Sequence, residues 1–352
     1  MRYKPFSRHS GLRVSEYALG TSTFGAVETL DRPDASRAIF DTFVAAGGTT
    51  FDSSDVYQTG RAESVLGDLL GTDRDDFVVI TKYTGLRQDH SGSGTTGNSR
   101  KTMIRSLEAS LRRLQTDYVD VFMPHFPDGV TPVAEILDTF DDLIRSGKIL
   151  HGGLSNFPAW RTAGAATRSE LKGHAPLVGI ETEYSLAERS AERELLPMAQ
   201  AHGLGALLYS PLAGGLLTGK YRRGETGRLN GGAGAGAGAV ADEGHSAAVL
   251  DAVLAIADRI DSTALAVSMS WLRRRSTLAN TALIPIIGPR TPSQLQAYLD
   301  SLELELSDEH YRRLDEVSAV QPGTPHEDVA AALARGYDGD RATLDTPLIP
   351  VL

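Results

Sequence analysis

The sequence predicts an α/β protein, a single (β/α)8 barrel with an N-terminal β-hairpin and a C-terminal helical extension, and three observations predict it. Eight short β-branched runs recur along the chain, a stretch with helical spacing follows each, and no glycine-rich dinucleotide turn follows the first. Strand–helix alternation implies parallel strands joined by right-handed crossovers, and eight such units close a barrel. The competing architecture, an open doubly wound sheet, calls for G-x-G-x-x-G after an early strand, where this chain has only GTSTFGA.

In chain order, residues 2–16 read as a hairpin turning at His9-Ser10-Gly11, placed to plug the barrel floor. The strand runs are 17–22, 49–54, 76–82, 118–123, 149–155, 176–182, 205–210 and 282–288. Helical partners fill 33–46, 61–70, 99–114, 132–146, 157–169, 190–202, 246–259 and 291–300. In 99–114, Met103, Ile104, Leu107, Leu111 and Leu114 form one apolar stripe behind Asn98 and Ser99, both capping residue types. Residues 224–244, GETGRLNGGAGAGAGAVADEG, interrupt the seventh unit; so few apolar anchors do not offset ordering entropy, and the segment is expected to be mobile. A last helix is predicted near 307–318. In the tail, 320–352, the apolar ending DTPLIPVL suits docking onto the body or onto a neighbouring subunit of a homo-oligomer. All of 1–352 is read as one domain.

Composition narrows the chemistry. The 352 residues carry 35 Lys+Arg against 45 Asp+Glu, a net charge of −10, and no cysteine. Disulfides, thiolate nucleophiles, cysteine-ligated zinc and iron–sulfur clusters are excluded together, no metal site is expected, and redox chemistry requires a bound organic cofactor. The acidic balance opposes a nucleic-acid partner, and RKTMIRSLEASLRR at 100–113 reads as a solvated helix face. The start, MRYKPFSRHSG, lacks a signal-peptide core, and GLGALLYSPLAGGLL at 203–217 is too short and too rich in Gly and Pro to span a bilayer. A cytoplasmic protein with no membrane partner is expected.

Barrel enzymes build their chemistry at the C-terminal ends of the strands. Here the second run ends in Asp52 with Tyr57 five residues on, the third in Lys82, and the fourth leads to His125. The fifth delivers Ser155 and Asn156, the sixth Glu181, and the seventh Tyr209 and Ser210. Asp52, Tyr57, Lys82 and His125 come from three neighbouring strands and can converge on one point. Such a set suits acid–base work on a carbonyl. A phenol is a weak proton donor at neutral pH, an adjacent ammonium favours its phenolate, a carboxylate holds that ammonium, and an imidazole can hydrogen-bond the substrate oxygen. A lysine ending a barrel strand is also the nucleophile of a Schiff-base lyase, which keeps that alternative open for Lys82.

The ordered motifs FDSSDVY (51–57), VITK (79–82), TDYVDVFMPHFPD (116–128), GGLSNF (152–157), ETEYSL (181–186), LYSPLAGGLLTGKY (208–221) and IPIIGPRTPSQL (284–295) resemble the aldo-keto reductases over about residues 2–320. The resemblance implies a barrel that binds NADPH without a Rossmann fold and reduces an aldehyde or ketone by hydride transfer. Its catalytic tetrad falls on Asp52, Tyr57, Lys82 and His125. It implies Thr21 and Asp52 as cofactor-binding residues, Ser155 and Asn156 on the nicotinamide carboxamide, and Tyr209 stacked on its ring. Ser210, Leu212, Gly214, Leu216 and Lys220 fall on the loop over the pyrophosphate, and Gly288, Arg290 and Gln294 on the 2′-phosphate site. The glycines let backbone approach phosphate, and a cation at a helix start favours NADPH over NADH. The potassium-channel β subunits share this fold, which makes a cofactor-binding regulatory module the other alternative.

Three departures from the family pattern stand out. Glu181 occupies the place of a glutamine beside the carboxamide; ionised, it accepts from the amide NH₂ but cannot donate to the amide oxygen. Its charge suits an oxidised, cationic ring better than a neutral one. Gln58 follows Tyr57 where the family has glycine, and Ala297-Tyr298 replace a Glu-Asn pair at the adenine end. Phe24, Tyr83 and Phe126 are placed in the substrate pocket by loop position alone.

Overall fold

The computed structural model describes residues 1–26, 34–85, 96–229 and 243–341. Strands β1 (Tyr3–Pro5) and β2 (Arg13–Ser15) form the N-terminal antiparallel hairpin, with Lys4 opposite Val14. Eight parallel strands then close a barrel in chain order: β3 (Ala18–Gly20), β4 (Thr50–Asp52), β5 (Val78–Tyr83), β6 (Val119–Pro124), β7 (Ile149–Ser155), β8 (Leu177–Glu183), β9 (Gly205–Tyr209) and β10 (Leu283–Ile287). The last strand pairs with both β9 and β3, which completes the ring. Every predicted run forms a strand, and β7 coincides with 149–155 end to end.

Alternation along the strands sorts side chains into two cores. Val78, Ile80, Val121, Met123, Val178, Leu207, Ile284 and Ile286 fill the barrel interior. Leu19, Phe51, Val79, Phe122 and Leu154 point outward and pack under the helices, as does Ile180, beyond a register shift between Leu177 and Gly179 that breaks the alternation of β8. The hairpin closes the floor as expected: Phe6 and Val14 belong to the interior cluster. A Cβ at Gly179 would lie 2.5 Å from the Phe6 ring, and one at Gly205 would overlap the Phe6 carbonyl. Glycine at both positions is what admits the plug.

The surrounding helices are α1 (Asp34–Ala45), α2 (Arg61–Leu70), α3 (Arg100–Leu114), α4 (Val133–Arg145), α5 (Ala159–Lys172), α6 (Leu195–Ala201), α7 (Gly244–Arg259), α8 (Ala264–Leu278), α9 (Pro292–Asp300), α10 (Asp308–Val317) and α11 (His326–Arg341). On α3, Ser99 caps the first turn by accepting from the Thr102 amide at 3.4 Å. Met103, Leu107, Leu111 and Leu114 form its buried face, with Ile104 at the margin.

Three elements differ from expectation. Segment 190–202 is split into a 3-10 turn, Ser190–Glu192, and the short α6, because Pro197 has no amide to donate and is tolerated only in a first turn. Helix α8 has no predicted counterpart: it is buried on most sides, Trp271 included, so its sequence shows no one-sided stripe. Helix α11 forms within what reads as a plain tail. The expected mobile loop falls mostly on 230–242 and the apolar ending on 342–352, both outside the described residues. Among the described residues, no helix is long and apolar enough to cross a membrane.

Candidate active site

The alternation that puts Ile80 inside the barrel also points Lys82 inward, two residues further along β5. Register places Asp52 opposite Ile80 and Ser155 opposite Glu181, so β4, β5, β7 and β8 end on one rim. Lys82 is fully buried there; its ammonium donates to Asp52 Oδ1 and lies 3.1 Å from Glu181 Oε2. Burial works against that charge, but the two carboxylates outweigh it and hold the lysine above its ordinary pKa. Burial also raises both carboxyls, Asp52 against the pull of Lys82, and Glu181 to about 8 with Asp52 adding to the rise.

Tyr57 follows β4 on a 3-10 turn, Tyr57–Gly60. Its ring centroid is 5.7 Å from Lys82 Nζ, and the His125 ring meets it edge-on at 5.8 Å. His125 hydrogen-bonds through Nδ1 to Ser54 Oγ at 3.1 Å, and its amide donates to the Tyr83 carbonyl at 2.7 Å. Asp52, Tyr57, Lys82 and His125 are thus brought together. Desolvation and the charge of Lys82 depress His125 to about 3, so its imidazole is neutral. The Tyr57 phenol sits above its usual pKa: desolvation raises it more than Lys82 lowers it, so the expected activation by Lys82 is only a partial offset.

Gln58 adopts φ 49°, the left-handed region that glycine takes freely, and Thr59 follows at 57°. The Gln58 side chain donates to the Ser22 carbonyl at 2.8 Å, which ties the Tyr57 loop to the end of β3. Below it Asp55 accepts from Ser106 Oγ of α3 at 3.1 Å. Thr21 donates through Oγ1 to the Asp52 carbonyl at 3.0 Å.

Most of the expected cofactor residues lie at or beyond the ends of β7, β9 and β10. Asn156, left-handed at φ 58°, donates to the His125 carbonyl at 2.9 Å and accepts from Tyr209 Oη at 3.0 Å. Ser155 is buried beside it, and Tyr209 is half-buried. Beyond Ser210, Gly214 and Gly215 take φ 64° and 95°; a Cβ at either would lie 2.8 Å from Leu229 or Lys220 side-chain carbon. The Leu212 and Leu216 side chains pack in the outer core, so they offer a ligand only main chain. Lys220 Nζ stands 5.1 Å from the Tyr221 ring centroid. At the start of α9, Gln294 Oε1 accepts from the Arg290 amide at 2.8 Å, and the exposed Arg290 guanidinium makes no ion pair among the described residues. Tyr298 is buried in the outer core.

Two expected pocket residues are corrected. Tyr83 points outward from β5, fully buried and stacked on Phe122 at 5.0 Å, because alternation turns it away from the face that Lys82 occupies. Phe24 is likewise buried in the outer core. Phe126 remains at the mouth, 44% exposed, its ring 6.0 Å from that of His125. Sequence reading missed Arg228. It reaches to 4.0 Å from a Cβ placed on Gly288, and its charge pulls down the phenols of Tyr57 and Tyr298. The signal was a lone arginine in a glycine-rich stretch after the Lys220 motif.

The closed parallel barrel gathers at one rim a buried lysine–carboxylate pair, a phenol and a neutral imidazole, a set of acid–base groups. The chain belongs to the aldo/keto reductase family, whose model matches residues 17–319. It is 36% identical to Uncharacterized oxidoreductase YrpG of Bacillus subtilis, over 90% of this chain and 96% of that protein. It is 33% identical to a putative voltage-gated potassium channel subunit beta of Schizosaccharomyces pombe, over 90% and 93%. With Aryl-alcohol dehydrogenase [NADP(+)] of Phanerodontia chrysosporium it shares 28% identity, over 92% and 88%.

Proposed function

We propose that the protein is an NADPH-dependent reductase of aldehydes or ketones. The observation that carries this reading is the buried Lys82–Asp52 pair beneath the Tyr57 ring with neutral His125 at its edge. When bound, the reduced nicotinamide supplies a hydride to the carbonyl carbon. Tyr57 holds its proton through the neutral range and gives it to the carbonyl oxygen as charge develops there; the phenolate left behind is stabilised by the Lys82 ammonium. Asp52 fixes that ammonium in place. His125, anchored through Nδ1, would orient the carbonyl oxygen through Nε2.

Support for a dinucleotide comes from Arg228, which reaches toward Gly288, and from Arg290, two residues before α9, because a cation at a helix start suits a phosphate. Ser155, Asn156 and Glu181 would hold the carboxamide, Thr21 and Asp52 would flank it, and Tyr209 would stack on the ring. Ser210, Leu212, Leu216 and Lys220 would cover the pyrophosphate, with Gly288, Arg290 and Gln294 at the 2′-phosphate. We place the enzyme in the cytoplasm, on the same reading.

The Asp52 carboxylate, in direct contact, keeps Lys82 charged, which disfavours the free amine that a Schiff-base lyase needs. The channel-subunit relative favours a regulatory reading, against which the assembled tetrad argues. Following NADPH absorbance with a panel of aldehydes, ketones, keto sugars and quinones tests the proposal. Rapid multiple turnover that collapses in Tyr57→Phe is expected; carbonyl reduction by Tyr57→Phe at the wild-type rate would overturn it.

A further inference from the structure

The reaction as proposed makes no use of the charge on Glu181. Yet Glu181 on β8 and Asp52 on β4 converge on the single ammonium of Lys82, with all three side chains at most 3% exposed. Ionising both carboxyls would leave an unbalanced negative charge away from water, and one cation does not compensate two buried anions. A proton is retained instead. Asp52 makes the closer contact with Lys82, so Glu181 is the partner that keeps it.

We propose that Glu181 is a proton-linked selector of the cofactor's oxidation state. Protonated, it is neutral and shares its proton with the Asp52 carboxylate; ionised, it favours the cationic ring of NADP⁺ over the neutral ring of NADPH. This inference rests on the nicotinamide reading above.

The groups that face Glu181 come from four elements: Asp52 on β4, Lys82 on β5, Tyr57 on the β4 loop and Tyr209 on β9. Both phenols keep their protons through the neutral range, Tyr209 because burial and the nearby glutamates push it to about 12. His125, depressed to about 3, stays uncharged. Glu183, two residues further along β8, is raised to about 7 by burial and Glu188, so it titrates in the same window and requires its own control.

A bound cation lowers the pKa of Glu181 from about 8, so NADP⁺ binding below that pH releases a proton. Affinity for NADP⁺ therefore climbs as pH rises toward about 8 and levels off above it, while NADPH gains nothing. Both nucleotides carry the same 2′-phosphate, whose titration cancels in the ratio of their dissociation constants. That ratio, Kd(NADPH)/Kd(NADP⁺), should rise about tenfold for each pKa unit by which the cation shifts Glu181.

Fluorescence titration of the full chain with each nucleotide, from about pH 6 to about pH 9, reads this directly without turnover. The rise is expected in wild type and in Glu183→Gln, and a flat ratio in Glu181→Gln, whose circular dichroism spectrum, matched to wild type, reports an intact fold. Binding of both nucleotides with the same pH dependence in wild type and Glu181→Gln would overturn this inference alone. A rise lost only in Glu183→Gln would overturn it too. Failure of wild type to bind either nucleotide would overturn the nicotinamide reading and this inference with it.

Discussion

Ser54 Oγ lies 3.1 Å from His125 Nδ1, so the loop that carries Tyr57 also anchors the ring beside it. Phenol and imidazole are positioned by one short segment. Ser54→Ala removes the anchor without touching either group, and a net loss of about 1 kcal/mol corresponds to roughly fivefold in kcat. Steady-state kinetics should show that fall with the dissociation constant for NADPH unchanged.

Removing the Tyr57 hydroxyl removes the proposed acid while leaving the ring against His125. Tyr57→Phe should lose about 10²- to 10⁴-fold in kcat, the range for a general acid. Equilibrium binding of NADPH should stay within a factor of about three, because ring area is kept.

The two guanidiniums near α9 should discriminate between nucleotides. Arg290→Ala or Arg228→Ala removes a charge-assisted contact worth about 1.5–3 kcal/mol, so NADPH should bind roughly ten- to a hundredfold more weakly. NADH, which has no 2′-phosphate, should bind almost as before in Arg290→Ala; equal losses for both nucleotides would contradict that assignment.

Stability should depend on pH through Glu181. Its carboxyl is raised from an ordinary 4.5 to about 8 by burial, so the folded chain retains a proton that the unfolded chain gives up. For a raised carboxyl the contribution is present at low pH and is lost as pH rises between those two values. The melting temperature of Glu181→Gln should therefore gain on wild type across that interval and run parallel to it above about pH 8.

The barrel was legible because its strands obey a period of two and its outer helices show one-sided stripes. Strand β7 was readable to the residue, whereas α8, buried on most sides, carries no stripe to read. The tetrad was legible as polar residues at strand ends. The pocket was less so: loop position alone puts Tyr83 there, although adjacent strand residues face opposite ways and an inward Lys82 already implies an outward Tyr83. Arg228 lay in a segment whose composition suggests only mobility, and its meaning depends on a contact across to Gly288.

The floor plug has a consequence for how the chain is made. Phe6 seats against Gly179 and Gly205, Arg8 donates to the Gln200 carbonyl at 2.6 Å, and the Lys4 ammonium donates to the Ser276 carbonyl at 3.0 Å. The hairpin thus waits for strands and a helix translated long after it. Contacts so distant in sequence slow folding and leave a nascent barrel open until its C-terminal third has emerged. Shielding of incomplete chains, by chaperones or by the ribosome surface, becomes part of producing this enzyme in active form.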